Sequence, residues 1–132
     1  QPLGIRSADW MKDRAGHAYG YMGLVIHARD LARIGQLVLN EGAWEGRQLI
    51  AREWLLESTR KAPYPELSAN QALVWVFQGY PPAAEPFLIS HSGDGGNWLL
   101  IFPDLKLVAV RLRNAEADDP ANFPKLVYEQ FR

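Results

Sequence analysis

The clearest hydrophobic periodicity in this chain runs through residues 28–40, where apolar positions recur three and four residues apart. One face of the predicted helix is apolar, with Leu31, Ile34, Leu37 and Val38. The other face is polar, with Arg29, Arg33 and Gln36. His27 occupies the N-cap position, Asp30 lies in the first turn, and Gly42 is placed to end the helix. The pattern predicts an amphipathic helix that packs one face on a core.

The last third of the chain has the shorter periodicity of antiparallel strands. Two apolar runs, residues 97–102 and 107–113, are separated by Pro103-Asp104-Leu105-Lys106, which is typical of a short hairpin turn. The first run is apolar on both faces, so we expect both faces to be covered, by helices. Further strands are predicted over residues 72–78, which proline-rich loops bracket, and over the apolar run at residues 87–90.

Two more helices complete the predicted set. Residues 52–60 form a short helix with Trp54 and Leu55 on its buried side. Asp119 and Pro120 are placed as the N-cap and first residue of a C-terminal helix. That helix carries an apolar stripe, made of Phe123, Leu126, Val127 and Phe131. The elements together predict an α+β fold, an antiparallel sheet with helices packed on it.

Composition narrows the class of protein. The 132 residues suit a single domain, and 48% hydrophobic residues are enough for a packed core. Lys and Arg number 14 against 15 Asp and Glu, with no dense basic cluster, so we expect no nucleic-acid partner. No apolar run is long enough for a membrane span, and the absence of cysteine excludes disulfides and thiolate metal sites. A start at Gln1 without a signal peptide looks like the interior of a longer protein, or a processed one.

The most informative short segment is His91-Ser92-Gly93, which is followed by Asp94-Gly95-Gly96. It lies between two predicted strands, where one strand ends and a tight turn begins. Small residues at a strand edge leave backbone N–H groups accessible to a ligand. A basic residue, a hydroxyl and a glycine at such an edge can hold the carboxylate or oxyanion of an acyl substrate.

Less specific interpretations of these residues stay open. Without a family resemblance, a structural histidine at a strand end is the more typical interpretation of His91, and two ligands such as His91 and Asp94 rarely make a metal site. The glycines at residues 93–96 lack the following helix that a phosphate loop needs. Arg111 and Arg113 are interpreted as a solvated strand end.

The aromatic residues and the first glycine-rich loop are also open to two interpretations. Five tryptophans are expected in the core or in a cleft wall rather than on a sugar-binding platform: Trp10, Trp44, Trp54, Trp75 and Trp98. The loop over residues 16–23 either borders a cleft or supports the long helix.

In their order and separations, several segments resemble the C-terminal part of the penicillin-recognising serine hydrolases, which include class C β-lactamases, D,D-peptidases and related esterases. The segments are residues 21–37, containing Arg-Asp-Leu-Ala-Arg-Ile-Gly, the His91-Ser92-Gly93 tripeptide, and Pro-Asp-Leu-x-Leu-Val in the hairpin at residues 103–108. The resemblance covers nearly the whole chain. It implies that residues 1–132 are a C-terminal fragment of such a domain, with a periplasmic or extracellular location suggested and a cytoplasmic one possible.

The resemblance also assigns roles by position. His91 lies where the family has a Lys or His that binds a substrate carboxylate, Ser92 matches the hydroxyl of that motif, and Gly93 matches its glycine. The backbone N–H of Asp94 would be one half of the oxyanion hole. An imidazole is a weaker carboxylate anchor than an ammonium at neutral pH, which favours esterase or amidase activity over β-lactamase activity.

The family's nucleophile has no convincing counterpart. Ser58-Thr59-Arg60-Lys61 matches Ser-x-x-Lys, and Ser68-Ala69-Asn70 matches Ser-x-Asn. Ser58 falls at the C-terminal end of a predicted helix, where the helix dipole disfavours an alkoxide, and the two motifs lie too close together. We therefore expect the catalytic serine on an upstream segment that is the partner of this chain.

Three functional hypotheses follow. In the first, the chain supplies the substrate-binding strand edge and part of the oxyanion hole of a hydrolase of esters, amides or lactams. It would use no cofactor or metal, would be inactive alone, and would self-associate through an exposed sheet edge. The second is a non-catalytic ligand-binding module of the same fold, and the third is a purely structural domain.

Overall fold

A computed structural model of the protein describes residues 2–20, 22–59, 75–78, 88–113 and 122–132. In chain order its elements are β1 (Ala8–Trp10), β2 (Leu24–Ile26), α1 (Ala28–Leu39), β3 (Ala43–Trp44), β4 (Arg47–Gln48), α2 (Arg52–Thr59), β5 (Val76–Gln78), β6 (Leu88–Gly93), β7 (Asn97–Phe102), β8 (Leu107–Arg111) and α3 (Phe123–Phe131). The main sheet is antiparallel, with strand order β5-β6-β7-β8, and β1 with β2 and β3 with β4 form two small ribbons. The predicted α+β class is confirmed.

Strand β7 is the centre of the core because its apolar side chains are buried on both faces. Leu99 and Ile101 pack with Val38 of α1 and Leu55 of α2. Leu100 and Phe102, which have no exposed surface, lie on the opposite face. Residues of α3 cover that second face: Phe123, Val127 and Tyr128. The prediction that this strand is covered on both sides by helices is therefore confirmed.

Helix α1 approaches the sheet closely at Gly35. A Cβ atom at Gly35 would lie 2.6 Å from Cγ1 of Val108 and 2.8 Å from Cδ1 of Leu99. Both distances are shorter than van der Waals contact, so any side chain here would push the helix off β7 and β8. The glycine lowers helix propensity but permits the close packing that buries this face of the sheet.

The end of α1 differs in detail from the prediction. The N–H of Glu41 donates to the Val38 carbonyl, and the N–H of Gly42 donates to the Leu37 carbonyl, which is a Schellman arrangement. Glu41 takes the left-handed conformation directly after the Asn40 cap, with φ of 51°, and Gly42 follows with φ of 89°. Gly42 thus helps to end the helix as the second residue after the Asn40 cap, whereas it was expected to be the first.

Asp30, in the first turn of α1, attaches the N-terminal segment to the helix. Its buried carboxylate accepts hydrogen bonds from the Arg6 N–H and the Ser7 hydroxyl, each at 3.4 Å, and pairs with Arg33. Arg33 also donates to the carbonyl of Gly4 at 2.9 Å. Burial opposes the charged form, but the Arg6 hydrogen bond and the Arg33 charge outweigh it, so the pKa of Asp30 is lowered.

Other expectations about helices and strands need correction. Trp54 is 58% exposed, whereas its neighbour Leu55 is buried as expected. In α3, Phe123 and Val127 of the predicted stripe face the sheet as expected. Leu126 and Phe131 are exposed, and Tyr128 packs on the sheet with the other two. The helix begins at Phe123 after an Asn122 cap.

Some predicted boundaries fall outside the described residues. These are Asp119 and Pro120 at the expected start of α3, Arg60 at the end of the second helix, and residues 72–74 of the strand that the structure describes as Val76–Gln78. The hairpin formed by β7 and β8 is confirmed, and its second strand ends at Arg111, before the predicted residue 113.

Replacing Gly35 tests the close packing of α1. We expect Gly35→Leu to lower the free energy of unfolding by about 1–3 kcal/mol, because the added side chain overpacks the interface with β7 and β8. Arg29→Leu is the matched control, since Arg29 is an exposed position of the same helix, and its effect should stay within about 0.5 kcal/mol. Urea denaturation measures both. Equal stabilities for the two variants would contradict this account of the packing.

Candidate functional site

The His91-Ser92-Gly93 tripeptide is the last part of strand β6. Its residues pair with Leu99, Trp98 and Asn97 of β7 in that order. On the other side, β5 pairs with β6 only as far as Ser90, which lies opposite Val76. Within the described part of the chain, the tripeptide therefore extends past the end of β5 and is paired along one edge. The turn that was expected to begin at the tripeptide begins after it.

Burial changes abruptly along β6 at this point. Ser90 has no exposed surface, whereas residues 91–94 are all exposed. Strand alternation places His91 on the same face as Ile89, which packs against the core on the α1 side. The His91 ring meets the half-buried Trp75 ring edge-on, with ring centroids 6.5 Å apart and an interplanar angle of 89°. The His91 imidazole thus lies against the Trp75 ring, beside an accessible strand end.

Residues 94–96 form the turn that carries the candidate oxyanion donor. Gly95 and Gly96 have φ angles of 74° and 79°, in the left-handed region that favours glycine. Asp94 is exposed, and among the described residues its N–H makes no turn hydrogen bond to a backbone carbonyl. The geometry leaves this N–H available at the end of the accessible strand segment.

Side chains of β7 and β8 donate hydrogen bonds to the backbone of this turn. Asn97 donates from Nδ2 to the Asp94 carbonyl at 2.7 Å, and its Oδ1 accepts the Arg113 backbone N–H at 2.8 Å. Arg111 donates from Nε to the Gly96 carbonyl at 2.9 Å, and its guanidinium lies 3.9 Å from the centroid of the Phe123 ring. The prediction that Arg111 and Arg113 mark a solvated strand end is wrong, because both are half-buried and bonded.

Among the described residues, nothing requires glycine at position 93. Its φ lies outside the positive range, and in that part of the chain an added Cβ would meet Cβ of Asn97 at an ordinary contact distance of 3.6 Å. Alanine is normally the more stable residue in a strand. An approach by a ligand or by another segment is the remaining physical reason for a residue without a side chain here.

Of the other candidate residues, the structure describes Ser58 and does not place it in a site. Ser58 is buried near the C-terminal end of α2, and its hydroxyl donates to the Leu55 carbonyl at 2.9 Å. It is neither accessible nor at a helix N-terminus, while Lys61 and residues 68–70 lie outside the described residues.

Two further expectations from the sequence concern a metal site at His91 and Asp94 and a membrane-spanning segment. Among the described ranges, no group of three or more His, Cys, Asp or Glu side chains is arranged to hold a metal ion. In the same part of the chain, every helix is too short or too polar to traverse a lipid bilayer.

Comparisons with known proteins bear on the fold. A scan against family models and a search of curated proteins both found no match. Among solved structures, “Putative 6-aminohexanoate-dimer hydrolase from Bacillus anthracis” matches 98% of this chain with a TM-score of 0.72 and 27% identity. This chain has a β-lactamase-like fold.

A second solved structure supports the same fold at greater sequence distance. “Crystal structure of putative beta-lactamase from Bacteroides dorei DSM 17855” matches 98% of the chain with a TM-score of 0.68 and 15% identity. The chain covers 33% of the first structure and 48% of the second. It therefore corresponds to a C-terminal portion of the β-lactamase-like fold, as the sequence resemblance predicted.

Replacing Gly93 tests whether this glycine serves the fold. We expect Gly93→Ala to leave the free energy of unfolding unchanged or to raise it by up to about 1 kcal/mol, because the methyl group fits and alanine suits a strand. Gly42→Ala is the contrasting control, since its Cβ would lie 2.2 Å from the Ile50 carbonyl oxygen at a φ of +89°. The free energy of unfolding of Gly42→Ala should fall by at least about 1 kcal/mol. Thermal unfolding measures both, and a marked loss in Gly93→Ala would assign the glycine to folding.

Proposed function

We propose that this chain is the C-terminal part of a serine hydrolase that acts through an acyl-enzyme. It supplies the substrate-binding strand edge, made by His91, Ser92 and Gly93, and one oxyanion donor, the Asp94 N–H. The observation that carries the proposal is the accessible end of β6, which leads directly into a braced turn. Accessible strand edges bind extended ligands, and backbone N–H groups stabilise developing oxyanions.

The proposed reaction begins with a substrate lying along β6. The serine oxygen attacks the acyl carbon, and the carbonyl π electrons move onto oxygen, where the Asp94 N–H donates to the resulting oxyanion. Collapse of this intermediate breaks the bond from the acyl carbon to the leaving group, which departs as the alcohol or amine with the proton that the serine hydroxyl gave up, and leaves the acyl-serine ester. Water then attacks the same carbon, the ester bond breaks, one water proton goes to the serine oxygen and the acid is released. One such donor contributes roughly 3 kcal/mol to lowering the barrier.

The proposed substrate class is an ester or an amide in preference to a penicillin. His91 occupies the position where a lysine would hold a carboxylate, and its ring stands against Trp75. An imidazole donates one directed hydrogen bond, whereas an ammonium provides a full charge. A similar structure carries the name of a 6-aminohexanoate-dimer hydrolase, which agrees with a substrate of this class.

The nucleophile of the proposed enzyme lies on an upstream segment. Ser58 has its hydroxyl buried and committed to the Leu55 carbonyl, so it cannot attack a substrate. The similar structures contain two to three times the length that this chain covers, which leaves room for a segment bearing Ser-x-x-Lys at a helix start. The present chain alone would therefore be inactive.

The edge of β8 is the proposed contact with that segment. Among the described residues, β8 pairs only with β7, and its sequence, Leu-Val-Ala-Val-Arg, contains no proline and a single terminal charge. Such an edge is a template for another strand. Without its partner segment the chain should self-associate, and sedimentation tests this: a reversible dimer supports the proposal, and a monomer at high concentration contradicts it.

Covalent labelling tests the function itself. A protein containing this chain with its upstream segment should react with a fluorophosphonate probe, and mass spectrometry should place the label on a serine outside residues 1–132. The chain alone should not react. In the longer protein, Gly93→Ala should slow labelling at least tenfold at unchanged stability, because its methyl group obstructs the substrate edge.

The controls separate the alternatives. Ser92→Ala should still be labelled, since Ser92 is proposed to bind substrate and not to attack it, and heat-denatured protein should not react. A label on Ser58 or on any other serine of this chain would overturn the assignment of the nucleophile. Absence of labelling in the longer protein would favour the non-catalytic binding module.

A further inference from the structure

The turn carrying the Asp94 N–H consists of the most flexible backbone in proteins. Asp94 is preceded by Gly93 and followed by Gly95 and Gly96, and glycine has the widest range of accessible backbone conformations. An oxyanion donor must nevertheless be oriented before the reaction begins, because its contribution depends on preorganisation. The chain therefore needs groups other than its own backbone to fix this turn.

The structure contains two such groups. Asn97 holds the Asp94 carbonyl at 2.7 Å, on the peptide that directly follows the donor. Arg111 holds the Gly96 carbonyl at 2.9 Å, at the other end of the turn. The two contacts hold the Asp94–Gly95 and Gly96–Asn97 peptide planes, one on each side of the Gly95–Gly96 peptide.

Both side chains are themselves held in place. The Asn97 Oδ1 accepts the Arg113 backbone N–H at 2.8 Å, so its NH₂ group must face Asp94. The Arg111 guanidinium stacks at 3.9 Å from the centre of the Phe123 ring at the start of α3. These contacts thus connect the turn to the end of β8 and to α3, the helix that covers one face of the core.

We propose that Asn97 and Arg111 are positioning residues that hold the Asp94 N–H in the orientation an oxyanion requires. This inference rests on the proposed function, because it takes the Asp94 N–H as the oxyanion donor. The two side chains act through the backbone of the turn and do not touch the substrate. A purely structural role would instead stabilise the hairpin without affecting the chemical step.

Asn97→Asp in the complete hydrolase is the sharpest test. Aspartate keeps an oxygen that accepts the Arg113 N–H. Its second oxygen replaces the NH₂ group that donates to the Asp94 carbonyl, and this oxygen repels the carbonyl. We expect kcat for a p-nitrophenyl ester to fall ten- to a hundredfold while KM changes less than threefold. Hydrogen exchange of the backbone amides over residues 93–97, measured by mass spectrometry, should become at least tenfold faster.

Two further variants complete the experiment. Asn40→Asp makes the same chemical change at the exposed cap of α1, far from the turn in sequence, and keeps the oxygen that accepts from Gln36; it should alter neither readout. Arg111→Met removes the donor to Gly96 and the cation over Phe123, and should lower kcat and speed exchange as Asn97→Asp does.

The outcomes are distinguishable. If the wild-type hydrolase is active and labelled but Asn97→Asp keeps its kcat, the positioning role is wrong and the proposed function stands. If kcat falls while exchange over residues 93–97 is unchanged, the loss does not arise through the turn and the inference is also overturned. A wild-type protein without labelling or turnover would refute the proposed function, and the positioning role with it.

Discussion

The rest of the structure depends on the burial of β7 on both faces. Leu99 and Ile101 point to one cluster, Leu100 and Phe102 point to the other, and all four are almost completely removed from solvent. Burying such side chains contributes roughly 1.5–3 kcal/mol each, so neither face can be left without cover. The strand therefore requires α1 and α2 on one side and α3 on the other.

This constraint also places the candidate site. Strand β6 pairs with β7 from Ile89 to Gly93, and Leu88 and Ser90 in its first half are buried, so this half is fixed by the core. The strand then continues past the described end of β5, and residues 91–94 emerge into solvent. The accessible edge is thus a continuation of a strand that the core holds, which is the kind of support that a binding site requires. Arg111, stacked on Phe123 of α3, connects the turn to the covering helix.

Local patterns in the sequence predicted most of the elements, because periodicity and turn chemistry act over a few residues. Helix α1, the hairpin of β7 and β8, and the two-sided core strand were all predicted in this way. The direction in which Trp54, Leu126 and Phe131 face was predicted wrongly. A helix carrying apolar residues around much of its circumference can bury more than one face, and tertiary contacts decide between them.

The site was predictable in part. The position of His91 at a strand end came from the flanking apolar runs and the glycines. The bracing by Asn97 and Arg111 was missed, since the Arg111 contact with Gly96 joins residues 15 positions apart and the Arg113 contact with Asn97 joins residues 16 apart. The only available signal was that Arg111 and Arg113 end an otherwise apolar strand, and this was interpreted as solvation.

The central claim is that the Asp94 N–H faces a serine supplied by another segment. The most direct measurement is a crystal structure of the longer protein, the proposed hydrolase, after reaction with an alkyl fluorophosphonate. The account predicts a phosphoryl oxygen roughly 2.7–3.1 Å from the Asp94 nitrogen, with the alkyl group beside His91 and Gly93. An adduct whose oxygen is bound elsewhere, with residues 91–94 facing away from it, would contradict the account.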